Sequence, residues 1–226
     1  MKSIFLDASE PYARAIFFSE GNANAEVSVR TRPLKGIHNQ IDMVTKLVGC
    51  ELNEMDAISV SIGPGSWTGI HIALTTARTL CQALGKALVP VNSLELLAWE
   101  NIERSVCYSM VDARHGHVYC AKYEIRDGVP TEIEAPAKLP FEEVLSSSNK
   151  HIPTTFAGSG AEVHKAAIVG ASSQYCLGRN TAGAQSIAKS LNACAHRALG
   201  VEEAMAVEPL YLIPEGEGPQ QGAWKK

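Results

Sequence analysis

Long apolar runs are missing from this 226-residue sequence. No stretch approaches the ~18 to 20 apolar residues that a membrane-spanning helix needs. The apolar stretch near the start, from Ile4 to Leu6, stops at Asp7. It is shorter than the ~7 to 15 residue apolar core of a secretory signal. We therefore expect a cytoplasmic protein that contacts no membrane.

Paired cysteines and an excess of basic charge are also missing. The six cysteines form no CxxC pair, so we expect small apolar fillers and neither a disulfide framework nor a zinc site. The 20 basic and 24 acidic residues are mixed along the chain and give a net charge of -4. No basic stripe is available to neutralise nucleic-acid phosphates. If RNA is involved, we expect a partner to hold it.

The residues that are present predict an α/β protein. The hydrophobic content of 46% is enough for one sizeable core or two small ones. In the first half, an antiparallel meander is followed by a helix and then by strand, helix, strand and helix. The first helix is indicated by the apolar residues Ile41, Val44 and Leu47, which recur at helical spacing. The predicted bounds are 3–7, 13–19 and 26–31 for the meander, 38–49 for the helix, then 57–62, a long helix to Leu84, 87–91 and a helix to Trp99.

The second half begins again with strands, predicted at 105–111, 118–125 and 131–135, and continues as mixed helix and strand. Its remaining predicted elements are a helix at 141–145, a strand at 154–157, and helices from about Ala161 and over 181–199. Because both halves open with a meander, we predict two related lobes, residues 1–102 and 103–226. Whether the last segment returns to the first lobe stays open. We expect residues 215–226, which have little apolar content, to be loosely ordered.

A glycine-rich turn separates the strand at 57–62 from the long helix, and it lacks the residues of a nucleotide loop. A Walker loop needs a lysine, but none occurs between Met55 and Lys86. A dinucleotide fingerprint needs GxGxxG, whereas Gly63, Gly65 and Gly69 give GxGxxxG. We predict a sharp strand-to-helix turn capped by a hydroxyl side chain. An anion at the helix N-terminus stays open.

The long helix has two faces. One carries Ile70, Leu74, Ala77, Cys81 and Leu84, and the other carries His71, Thr75, Arg78 and Gln82. Two interpretations are open. The helix is either covered by the sheet and its neighbours within the chain, or its outer side packs on another chain.

Four segments resemble the bacterial TsaB (YeaZ) family. They appear in the family's order as GPGSWTGIHIALTTARTL, VNSLELLA, VDARHGHVY and EPLYLI. The family's usual forms are GPGSFTGLRIG, a serine-leucine-glutamate helix start, DARRGEVY and a closing proline-x-tyrosine-leucine. LDAS near the start and IHNQ at His38 also stand where the family has related residues. The main departures are Trp67 for phenylalanine and His71 for arginine.

The resemblance implies an actin-like, sugar-kinase-like fold of two related lobes. It also implies an accessory subunit without catalytic residues that supports threonylcarbamoyl transfer to adenosine 37 of tRNAs reading codons that begin with A. The implied partners are a TsaD-like catalytic subunit, a TsaE-like ATPase and, indirectly, tRNA, with a homodimer when the chain is alone. ATP and metal would belong to the partner subunits. The partner interface implied on the first-lobe helices consists of His38, Ile41, Thr45, Trp67, Ile70, His71, Leu74, Thr75 and Arg78.

An alternative from another class is an actin-fold ATPase or small-molecule phosphotransferase. Asp7 and Ser9 stand where such an enzyme holds metal and phosphate, but Glu10 would repel a triphosphate. His38 with Asp42, and His115 with His117, each offer only two ligands, which rarely hold a metal. Glycines at 158 and 160 suit a helix-entry turn. We therefore expect no catalytic, cofactor or metal residue in this chain.

Overall fold

Two five-stranded sheets organise the chain. The structure is a computed structural model and describes residues 1–30 and 36–212. The first sheet has the order β3-β2-β1-β4-β5. Its strands are β1 (Ser3–Asp7), β2 (Tyr12–Ser19), β3 (Asn22–Arg30), β4 (Ala57–Ser61) and β5 (Ala87–Val91). The second sheet has the order β10-β9-β6-β7-β8. Its strands are β6 (Val106–Asp112), β7 (His117–Arg126), β8 (Val129–Pro140), β9 (Thr154–Ala157) and β10 (Tyr175–Leu177).

The second sheet repeats the topology of the first. In each sheet, the first three strands form an antiparallel meander. In each, the fourth strand pairs parallel with the first, and the fifth pairs parallel with the fourth. This repetition confirms the prediction of an actin-like, sugar-kinase-like fold with two related lobes.

Eight α-helices are found in the described part of the chain. They are α1 (Gly36–Val48), α2 (Trp67–Leu84), α3 (Ser93–Glu100), α4 (Phe141–Ser147), α5 (Ser159–Val163), α6 (Lys165–Ala171), α7 (Ala184–Cys194) and α8 (Val201–Ala206). Two short 3₁₀ turns lie at Leu52–Glu54 and Ala195–Arg197. No helix in the described ranges has the length and apolarity needed to cross a membrane.

Helices cover both faces of the first sheet. On one face, α1 and α2 share a buried cluster with Ile4 and Leu6. On the other face, α7 packs its Ile187 and Leu191 against Phe5. The alternation follows from the two-residue period of a strand, because neighbouring side chains of β1 point to opposite faces. The outer sides of α1 and α2 therefore lie on one surface of the first lobe.

The end of the described chain returns to the first lobe. The buried carboxylate of Glu100 holds the segment that leads into α7. It accepts hydrogen bonds from Arg179 Nη1 at 2.6 Å and from the Gly183 amide at 2.8 Å. From there α7 joins one face of the first sheet, and Ala204 of α8 joins the cluster on the other face. The division of the chain between residues 102 and 103 stays a prediction, and residues 215–226 lie outside the described part.

Some element bounds differ from the predicted ones. β3 begins at Asn22 rather than at residue 26, because pairing with β2 extends through polar residues of an edge strand. β10 and α8 were absent from the prediction, and both are short elements stabilised by distant parts of the chain. Leu47 was predicted to lie on the apolar side of α1, but its side chain is 68% exposed.

Candidate functional site

The glycine turn before α2 packs against the loop that joins β1 to β2. A Cβ at Gly69 would collide with the Ala8 carbonyl oxygen, and a Cβ at Gly65 would collide with the Ser9 carbonyl oxygen. The Ser66 amide donates to that Ser9 oxygen at 2.6 Å, and the Ser66 hydroxyl accepts from the Gly69 amide at 3.3 Å. The predicted cap is thus confirmed as Ser66. The glycines allow two backbone segments of the same chain to approach closely.

A cleft of about 900 Å³ lies next to this turn. The β1–β2 loop and the start of α2 line one side, and the end of β6 with the start of α5 line the other. Its polar lining includes two carboxylates, Glu10 and Asp112, and one cation, Arg114. Trp67 lies at the cleft and is 64% exposed.

The acid at the end of β1 is fully engaged by its own chain. One carboxylate oxygen of Asp7 accepts from the Ser9 amide at 2.9 Å and from the Ser9 hydroxyl at 2.7 Å. The other oxygen accepts from Arg14 Nε at 3.1 Å and Arg14 Nη2 at 3.0 Å. A carboxylate has four lone-pair positions, and these four hydrogen bonds use them all.

Glu10 has an unusually high pKa for a glutamate. Burial, and after it the nearby Asp7 carboxylate, raise the pKa of its carboxyl to about 7 against the opposing effect of Arg14. Desolvation disfavours the charged form of a carboxyl, which explains the direction. The carboxyl is therefore largely neutral below pH 7 and negatively charged above it.

The fold family implies a nucleotide and a magnesium ion in such a cleft, and the residues here do not fit them. Asp7 has no free oxygen for a metal, because Ser9 and Arg14 occupy both. At neutral and higher pH, Glu10 adds negative charge where phosphates would lie. The Ser66 and Gly69 amides, which a phosphate would use, are engaged within the chain. Among the residues described, no group of three His, Cys, Asp or Glu side chains could hold a metal.

The outer side of α2 presents a row of polar and aromatic side chains. Trp67, His71, Thr75 and Arg78 follow one another at helical spacing and form what we call the α2 docking face. Trp67 and Thr75 are exposed, and His71 and Arg78 are partly exposed. The Trp67 and His71 rings pack with centroids 4.0 Å apart. A large aromatic ring thus faces solvent at the start of a rigid helix.

His71 joins this face to the end of the described chain. Its Nδ1 lies 2.7 Å from the Trp67 carbonyl oxygen, and its Nε2 lies 2.6 Å from the Tyr211 hydroxyl. A carbonyl oxygen only accepts, so Nδ1 carries the proton and Tyr211 donates to Nε2 when the imidazole is neutral. Reasoning from the sequence missed this contact, because the two residues lie 140 positions apart. The only sequence signal was the resemblance of EPLYLI to a family motif.

The structure divides the nine predicted interface residues into two sets. Ile41, Ile70 and Leu74 are 6%, 4% and 2% exposed and belong to the core. They pack beneath the surface residues, so we expect them to support the interface more than to supply its contacts. The six that reach the surface, fully or in part, are His38, Thr45, Trp67, His71, Thr75 and Arg78. Two apolar residues of α1 outside the predicted set, Met43 and Leu47, are also exposed.

Comparison with known proteins of similar sequence identifies the family to which the chain belongs. A family model described as TsaD: tRNA N6-adenosine threonylcarbamoyltransferase matches residues 34–212. A Bacillus subtilis protein named tRNA threonylcarbamoyladenosine biosynthesis protein TsaB is 31% identical over 141 residues, which are 61% of this chain and 58% of that protein. The chain belongs to the TsaB (YeaZ) group of this TsaD-like family. An Escherichia coli relative with the same name is 24% identical over 161 residues, covering 67% of this chain and 70% of the relative.

The family assignment agrees with the fold. The structure of YeaZ from Pseudomonas aeruginosa matches with a TM-score of 0.77 at 23% identity, covering 93% of this chain and 99% of that chain. At this identity the match supports the fold alone. The matched part of the present chain spans 58% of the length of its Bacillus subtilis relative.

Proposed function

We propose that this chain is an accessory subunit in the synthesis of threonylcarbamoyladenosine at position 37 of tRNAs that read codons beginning with A. It binds a TsaD-like catalytic subunit and supports threonylcarbamoyl transfer without performing the chemistry. The names of its TsaB relatives and the description of the matched family model both support the pathway.

The observation that carries the docking role is the α2 docking face. Trp67 exposes 64% of its surface at the start of this row, which ends at Arg78. Tryptophan and arginine are enriched among the residues that contribute most to protein–protein binding. The buried side chains of Ile70 and Leu74 anchor the helix beneath these residues. Rigid elements place contact residues with less loss of entropy on binding.

The cleft chemistry supports a non-catalytic role. Asp7 is saturated by hydrogen bonds, and Glu10 opposes phosphate binding at neutral and higher pH. We therefore assign ATP and metal to partner subunits, including a TsaE-like ATPase. The tRNA contact is indirect, and the isolated chain forms a homodimer through the same helices. Arg114 is the one cation among the described residues that line the cleft, and two carboxylates line the same cleft, which disfavours the alternative ATPase or phosphotransferase function.

Co-purification with a TsaD-like subunit and a tRNA-modification assay test this proposal. We expect the modified nucleoside to form with this chain present and to fall to background without it. Thr75→Arg places a long charged side chain in the middle of the α2 docking face and should weaken the complex at least about tenfold. Thr131→Arg, on the exposed edge strand β8, is the matched control and should leave binding unchanged.

Three results would count against parts of the proposal. Modification that proceeds equally without this chain would contradict the accessory role. Equal binding by wild type and Thr75→Arg would contradict the docking face. Metal-dependent ATP turnover by the purified chain alone would favour the phosphotransferase.

A further inference from the structure

The closing segment, residues 208–212, forms a wall beside the α2 docking face. The Leu210 amide donates to the Ile62 carbonyl oxygen at 2.8 Å, which fixes the segment next to the end of β4. One residue later, the Tyr211 hydroxyl lies 2.6 Å from His71 Nε2. The outer side of α2 is therefore bordered by a second piece of the same chain, and the two enclose a pocket.

This pocket has a volume of about 350 Å³, which is room for a side chain from another protein. Thr75 and Arg78 of α2 line one side. Met205 of α8 and Glu208 and Tyr211 of the closing segment line the other. Its polar groups are two hydroxyls, one guanidinium, one carboxylate and the His71 imidazole, which is already bonded to Tyr211.

Arg78 is the unusual group in this pocket. No hydrogen bond or ion pair to its guanidinium is found within the described residues, and its Nε is buried without a partner. Two other arginines, by contrast, are paired with acids: Arg14 Nη2 lies 3.0 Å from Asp7, and Arg179 Nη1 lies 2.6 Å from Glu100. A buried donor left without an acceptor costs ~1 to 3 kcal/mol, and more when it is charged. Arg78 is thus poised to gain from an acceptor that arrives with a partner.

We infer that this pocket receives a carboxylate side chain of the TsaD-like subunit and that Arg78 is its counter-ion. This inference rests on the proposed function. A guanidinium matches a carboxylate with two parallel hydrogen bonds, which no neutral side chain reproduces. The pocket thereby sets specificity, because a partner without an acid at this point leaves Arg78 unpaired. Glu208 lines the same pocket but is exposed and forms no ion pair with Arg78, so the position opposite the guanidinium is left to the partner.

Binding titrations with the purified TsaD-like subunit test the inference. Arg78→Gln removes the charge and should weaken binding about 30-fold or more, in line with truncation of one member of a buried interfacial charge pair. Arg78→Lys keeps a point charge but loses the planar fork, so its affinity should lie between those of wild type and Arg78→Gln. Glu208→Gln should leave binding unchanged or tighten it, because it removes a competing carboxylate. Gln82→Ala, on an exposed position one turn further along α2, is the control for a general effect on the helix.

The outcomes separate this inference from the proposed function. If wild type binds and Arg78→Gln binds equally well, the carboxylate pocket is wrong and the accessory role stands. If Glu208→Gln weakens binding as much as Arg78→Gln, the pocket acts through Glu208 and the inference is overturned. If wild type does not bind, the proposed function fails with it. Recovery of Arg78→Glu binding by one Asp or Glu to Arg exchange on the TsaD-like subunit would establish the pair.

Discussion

Replacing Gly69 with alanine distinguishes a packed turn from a ligand cradle. In a helix, alanine is favoured over glycine by about 1 kcal/mol, so an open site would gain stability. Here the new Cβ would collide with the Ala8 carbonyl oxygen and push the β1–β2 loop away from α2. Overpacking of this kind costs about 1 to 3 kcal/mol, and loss of the hydrogen bond between Ser66 and Ser9 adds about 1 kcal/mol. We expect a net loss of about 1 to 3 kcal/mol after the helix gain.

Urea unfolding of the isolated chain measures this loss. The midpoint should fall with an unchanged slope, and the melting temperature should drop by roughly 2 to 4 °C for each kcal/mol. Gly170→Ala in α6 is the matched control, because its Cβ would meet nothing within 4 Å. We expect this control to gain about 0.5 to 1 kcal/mol. A Gly69→Ala variant as stable as wild type would refute the packing explanation.

Two further predictions concern a half-buried carboxylate, Glu10, and a buried one, Glu100. Because burial raises the pKa of Glu10 to about 7, ionisation costs the folded state stability as pH rises through this range. Glu10→Gln should therefore stabilise the chain by about 1 to 2 kcal/mol at pH 8, as measured in thermal melts. The whole pKa shift would correspond to ~3 kcal/mol, but the side chain keeps some solvent contact, which reduces the effect. Near pH 4 the substitution should have little effect, because the carboxyl is then largely neutral in both the folded and the unfolded chain. Glu100→Gln should destabilise by about 2 to 4 kcal/mol, since it weakens the contacts to Arg179 and Gly183 that lead the chain into α7. Unchanged hydrogen exchange in α7 of that variant would contradict the anchoring role of Glu100.

The elements predicted correctly have strong local signals. β1, β5 and β9 have the predicted bounds, because short apolar or β-branched runs end at clear turn residues. Two helix caps also arise from local residues: Gly85 has the left-handed conformation, with φ of +65°, and the Asn92 side chain accepts from the Leu94 amide. These features depend on a few neighbouring residues, which a single sequence contains.

The features that were missed depend on distant contacts. β10 has three residues and exists because β9 lies beside it. The role of Gly69 was predicted only as part of a capped turn, because its packing partner Ala8 lies on another element. The contact between His71 and Tyr211, and with it the pocket at Arg78, joins residues far apart in the chain. The docking face was predicted from a family resemblance, and periodicity alone left it open whether α2 is covered within its own chain.

Oxidation of Trp67 by hydroxyl radicals tests the docking role most directly. The measurement compares the chain alone, at a concentration where it is monomeric, with its complex with the TsaD-like subunit. Trp67 is 64% exposed, and Trp99, at 8%, provides an internal reference within the same chain. We predict that binding slows oxidation of Trp67 several-fold and leaves Trp99 unchanged. Equal oxidation of Trp67 in the free chain and in a fully formed complex would show that the partner binds elsewhere.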